Sequence, residues 1–102
     1  MKYGLSDKTI DLINAVFSKH PEVETAILYG SRAKGNFHTG SDIDLTLTGT
    51  NLTLSILHKI EDEIDDLLLP YKVDLSILQD IENKELLDHI QRVGKVFYSK
   101  KT

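Results

Sequence analysis

Ser41-Asp42-Ile43-Asp44-Leu45-Thr46-Leu47-Thr48 is the stretch on which the reading of the whole chain turns. Across residues 42–48, Ile43, Leu45 and Leu47 alternate with Asp42, Asp44, Thr46 and Thr48. Neighbouring side chains on a strand leave opposite faces, so this period predicts a strand with one covered face and one polar face. Asp42 and Asp44 then leave the same face, with Cα atoms ~6.6 Å apart. Residues 72–78 repeat the pattern, with Val73, Leu75 and Ile77 set against Lys72, Asp74 and Ser76. Residues 24–29 form a short apolar run that ends at Gly30, which predicts a buried strand.

Helical periods fill the intervals. Ile10, Ile13, Val16 and Phe17 mark a helix over residues 7–19, with Ser6 as N-cap and Leu5 and Ile10 at the staple positions. His20-Pro21 ends it. Residues 31–35 read as a polar turn or short helix, and residues 36–41 as a loop. Leu54, Leu57, Ile60, Ile64 and Leu67/Leu68 predict a long amphipathic helix over residues 53–69, stopped by Pro70. A last helix is expected over residues 84–93, with Asn83 as N-cap and Gly94 as its stop, before a short strand at 96–98. The predicted class is therefore α/β (α+β): one domain over residues 1–102, with a small mixed β-sheet and helices packed on its apolar face.

Composition narrows the chemistry. The chain has 102 residues and no cysteine, which excludes disulfides, zinc–thiolate sites and thiol nucleophiles. Its net charge is −4, a poor balance for gripping nucleic-acid phosphates, so no direct nucleic-acid partner is expected. No apolar run approaches the ~20 residues of a membrane span. The N-terminus has no apolar signal segment, and a cytoplasmic location is expected.

The acidic side chains carry the functional signal. If the strands of Asp42/Asp44 and Asp74 are neighbours, three carboxylates converge. Two such charges ~5 Å apart repel by about 3 kcal/mol at an effective dielectric of 20. Mg²⁺ relieves that repulsion, because it takes carboxylate, phosphate and water oxygens. Gly30-Ser31 follows a buried strand directly, where glycine admits close backbone approach and the hydroxyl and free N–H groups can hold phosphate oxygens. Arg32 and Lys34 are candidates for steadying phosphates; the alternative is a solvated basic turn. His38 is read as a loop residue. His20, His58 and His89 lack metal-ligand spacing and are read as ordinary surface or helix residues. The run Glu61, Asp62, Glu63, Asp65, Asp66 is a solvated helix face, or a docking surface for a basic partner.

Gly30-Ser31-Arg32-Ala33-Lys34-Gly35, then Ser41-Asp42-Ile43-Asp44-Leu45, then Val73-Asp74-Leu75 resembles the polymerase-beta-type nucleotidyltransferase superfamily. Ten residues separate Ser31 from Asp42, as in that family's glycine–serine and paired-aspartate motif. More narrowly, the chain resembles the minimal nucleotidyltransferase (MNT) domains, the antitoxin halves of HEPN–MNT modules. The resemblance implies that Gly30 and Ser31 grip the triphosphate of ATP. It implies that Asp42, Asp44 and Asp74 hold two Mg²⁺ ions, with Asp74 helping to deprotonate the acceptor. It implies transfer of AMP to a tyrosine hydroxyl of a partner HEPN ribonuclease toxin, in a hetero-oligomer. The alternatives are an antitoxin that neutralises by binding alone, and a transferase acting on a small molecule.

Larger nucleotidyltransferases add domains that grip the base and the acceptor, and this sequence shows no such region. The isolated chain is therefore expected to bind ATP weakly and without base preference. Isothermal titration of the purified chain checks this; tight, ATP-selective binding contradicts it.

Overall fold

The computed structural model describes residues 1–100. Four strands form one mixed sheet: β1 (Thr25–Tyr29), β2 (Ile43–Thr48), β3 (Val73–Ile77) and β4 (Lys95–Ser99), in the order β3-β2-β1-β4. β1 is antiparallel to β2 and to β4, and β2 is parallel to β3. Four α-helices, α1 (Asp7–Ser18), α2 (Gly30–Lys34), α3 (Leu54–Asp65) and α4 (Lys84–Val93), join or flank the strands. A short 3₁₀ turn at Leu78–Asp80 follows β3. No described helix is long and apolar enough to cross a membrane.

The expected caps Ser6 and Asn83 are in place, and Thr53, read from the sequence as the first residue of its helix, is the cap of α3. Ser6, Thr53 and Asn83 each accept a backbone N–H from the first turn of α1, α3 and α4. Each satisfies one of the donors that a helix start leaves free. α3 ends earlier than its apolar period predicts. Beyond Asp65 the chain closes with three-residue bonds, Leu67 N–H to Ile64 O at 3.0 Å and Leu68 N–H to Asp65 O at 3.1 Å. Leu68 then turns left-handed (φ 54°) and stands 88% exposed. The acidic last turn, Asp62 to Asp66, contributes to the early stop, since negative charge opposes the negative end of the helix dipole.

The core lies on one face of the sheet. Ala26 and Leu28 of β1, Ile43, Leu45 and Leu47 of β2, and Leu75 and Ile77 of β3 are buried there. Ile13, Val16 and Phe17 of α1 and Leu57, Ile60 and Ile64 of α3 belong to the same cluster. A bulge between Ala26 and Ile27 shifts the pairing with β4. Both Phe97 and Tyr98 consequently reach this core, against Tyr3 and Phe17 respectively. α4 differs from α1 and α3 in position. It contacts β1 and α2, and its Ile90 and Gly94 lie against Ile27, on the opposite face. Helix therefore covers part of the polar face as well.

Arg32 is a core residue, which corrects its reading as a phosphate ligand. It is 2% exposed. Its guanidinium donates to the carbonyls of Tyr3 (2.9 Å), Ser41 (2.9 and 3.2 Å) and Thr39 (3.4 Å). It also lies over the rings of Phe37 and Tyr71, 5.2 and 4.9 Å from their centroids. The planar fork with its fixed donors suits this role; a lysine ammonium cannot bridge three carbonyls and stack at once. Arg32→Lys is expected to cost about 2–3 kcal/mol of stability through lost charged hydrogen bonds, measured by urea unfolding. An unchanged midpoint contradicts the assignment.

Candidate active site

The register of three neighbouring strands builds the site. Asp44 pairs with Tyr29 of β1 on one side and with Asp74 of β3 on the other. Directly paired residues share a face, so Tyr29, Asp44 and Asp74 stand in a row on the polar side. One pair further along, Ser76 Oγ donates to Thr46 Oγ1 at 2.9 Å and satisfies that fully buried hydroxyl. Asp42 immediately precedes β2, next to the Ser41 carbonyl that Arg32 holds.

Gly30 ends β1 and opens α2 with φ 75°. A Cβ at this position would collide with Asp44 Oδ2. The turn therefore admits glycine on two counts: the left-handed backbone, and the carboxylate that fills the space a side chain would need. Ser31 follows directly and is half-buried. Lys34 is exposed in the last turn of α2 and makes no ion pair among the described residues.

The electrostatics show that the acids act on one another. Burial pushes the Asp44 carboxyl above the usual carboxylate range, Asp74 and then Asp42 push it further, and Lys72 pulls it down. Burial likewise raises the Tyr29 hydroxyl; a hydrogen bond to Ser76 opposes this, and Asp44 and Asp74 add to the rise. Among the described residues, no three His, Cys, Asp or Glu side chains form a group able to hold an ion alone. Asp42 and Asp74 are exposed and Asp44 is half-buried. This oxygen-only donor set fits Mg²⁺, which is commonly held by one or two carboxylates together with substrate phosphates and water.

Three further groups belong to the surroundings of the site. The Tyr29 ring meets the His89 ring edge-on, with centroids 6.1 Å apart, and His89 Nε2 accepts the Gly30 N–H at 3.0 Å. Lys72 lies beside the carboxylates. Reading His89 as an ordinary helix residue missed this contact. The available signal was its place between Leu86 and Ile90 on the inward stripe of α4, where a polar ring needs a partner.

Residues 11–102 match the family model described as Polymerase beta, Nucleotidyltransferase. The chain belongs to the polymerase beta nucleotidyltransferase family. Its fold is also that of solved structures at low identity. A chain of a toxin–antitoxin crystal structure with AMP-PNP matches with a TM-score of 0.70 and 21% identity, over 95% of this chain and 76% of that one. A chain of the complex of a tri-AMPylated Shewanella oneidensis HEPN toxin with an MNT antitoxin matches with a TM-score of 0.68 and 17% identity, over 94% and 74%. A chain of the MntA–HepT toxin–antitoxin complex gives 0.67 and 18%, over 93% and 74%. Comparison with curated proteins returns no match. In this chain the glycine–serine turn at Gly30–Ser31 precedes Asp42 and Asp44.

The raised Asp44 carboxyl has a stability consequence. Its protonated form is favoured by folding, so its stabilising contribution is present below the ordinary carboxylate range and is lost as pH rises through the raised value. At pH 7 the ionised group opposes the fold. Asp44→Asn is expected to raise the Tm of the ligand-free protein by a few degrees at pH 7, measured by scanning calorimetry. A fall in Tm contradicts the repulsion.

Proposed function

We propose that this family member is a Mg²⁺-dependent nucleotidyltransferase that moves AMP from ATP to a hydroxyl. We further propose that the acceptor is a tyrosine of a partner HEPN ribonuclease toxin, and that the chain acts as the antitoxin in a cytoplasmic hetero-oligomer. The observation that carries the reading is the direct pairing of Asp44 with Asp74 across β2 and β3, beside the Gly30–Ser31 turn. The solved complexes support the choice of nucleotide and partner. One carries AMP-PNP, an ATP analogue, and another contains a tri-AMPylated HEPN toxin.

In this reading Asp42, Asp44 and Asp74 would hold two Mg²⁺ ions together with the phosphates of the nucleotide, and Gly30 and Ser31 would seat the triphosphate. The bound metal would neutralise phosphate charge and make the acceptor hydroxyl easier to ionise. The acceptor oxygen bonds to the α-phosphorus as the bond from that phosphorus to the pyrophosphate oxygen breaks. Asp74, exposed at the edge of the row, takes the hydroxyl proton. The rigid sheet keeps the acids in register, so that positioning supplies much of the rate. Lys34 is free to meet the phosphates from the rim. Arg32 is committed to carbonyls and acts only by holding the approach to Asp42.

The test is to incubate the chain and its HEPN partner with Mg²⁺ and ATP, then weigh the intact partner. A gain of one or more AMP units is expected with the unaltered chain. Asp42→Asn and Asp74→Asn should each slow transfer at least about a hundredfold with the circular dichroism spectrum unchanged. An unchanged partner mass removes the adenylylation reading. Full toxin neutralisation by the double variant Asp42→Asn/Asp44→Asn would instead mean that binding alone does the work.

A further inference from the structure

α4 is distant in sequence from the glycine–serine turn, yet one of its side chains holds that turn. The Gly30 N–H, the first amide of α2, donates to His89 Nε2 at 3.0 Å. The imidazole is fixed from a second direction by the edge-on Tyr29 ring. Gly30 is squeezed between this bond and the Asp44 carboxylate, in a left-handed backbone that has no slack for a side chain. Arg32 anchors the far side of the turn, and the bond from His89 holds its first amide. Tyr29 occupies the N-cap position of α2 and provides no side-chain cap, and α2 is a five-residue helix, too short to hold its own start rigidly.

We infer that His89 is a positioning residue for nucleotide binding: its Nε2 fixes the Gly30 amide, and through it the Ser31 hydroxyl, against the carboxylate row. The inference rests on the proposed nucleotidyltransferase reading for its consequence, but not for its geometry. Accepting the bond requires the tautomer with the proton on Nδ1. Any side chain that offers an acceptor at the same reach can replace it. Glutamine does so through Oε1; leucine fills similar space and offers nothing. Losing the acceptor leaves the Gly30 N–H half-buried without its partner and frees the turn, which weakens the seat for the phosphates before it affects the chemical step.

His89→Gln and His89→Leu decide the matter against the unaltered chain, tested with its HEPN partner. His89→Leu is expected to raise the KM for ATP about threefold to tenfold, the worth of one hydrogen bond, with a smaller change in kcat. His89→Gln is expected to recover most of that loss. In ¹H–¹⁵N spectra of the ligand-free chain, the Gly30 amide should shift upfield and exchange faster in His89→Leu, and stay near its original position in His89→Gln. An unchanged Gly30 amide and KM in His89→Leu, with folding confirmed by the remaining spectrum, overturns the inference. So does a His89→Gln variant as impaired as His89→Leu. If the unaltered chain binds no Mg²⁺–ATP and transfers nothing, the functional reading fails instead, and the Gly30 amide alone decides whether His89 holds the turn.

Discussion

The parallel pairing of β2 with β3 is the constraint on which the rest depends. Its register sets Leu45 against Leu75 and Leu47 against Ile77 on the buried face. The same register sets Asp44 against Asp74 and Thr46 against Ser76 on the other. Strand side chains alternate with a period of two, so a slip of one residue would drive the acids into the core and the leucines into water. The apolar cluster forbids that slip. The hydrophobic core thereby positions a site that it never touches. A parallel pair also needs a long crossover. α3 provides it, and buries Leu57, Ile60 and Ile64 in the same cluster.

Around this pair the molecule keeps two demanding features in place. One is the row of acids, whose mutual repulsion and partial burial oppose ionisation of Asp44. The other is the turn at Gly30, held left-handed against the Asp44 carboxylate. Both depend on the surrounding structure holding the carboxylates and the turn close together. Arg32 anchors the loop that leads to Asp42 with four hydrogen bonds and two aromatic faces. The buried guanidinium has no carboxylate partner among the described residues; carbonyl dipoles and ring faces compensate its charge. A buried cation thus secures the frame beside the row of acids.

The acidic run on α3 divides in two. Glu63 meets His20 at 2.7 Å and Lys19 at 3.9 Å, tying the end of α1 to α3. Asp62, Asp65 and Asp66 remain exposed and end the helix early. The contribution of the run to the fold comes through Glu63.

Much was legible in the sequence because alternation and helical period are local properties. The strands around Asp44 and Asp74, the caps Ser6 and Asn83, and the stop at Gly94 are each written within a few consecutive residues. The glycine–serine turn and the paired acids were legible for the same reason. What the sequence by itself determined is that Asp44 and Asp74 would leave polar faces of strands. Only the tertiary structure decided that those faces are one face, because strand adjacency depends on which apolar sides pack together. It also decided the roles of Arg32 and His89. A charged or polar side chain takes its role from the partner within ~3 Å, and here those partners lie on elements far away in the chain: Tyr3 for Arg32, Gly30 for His89.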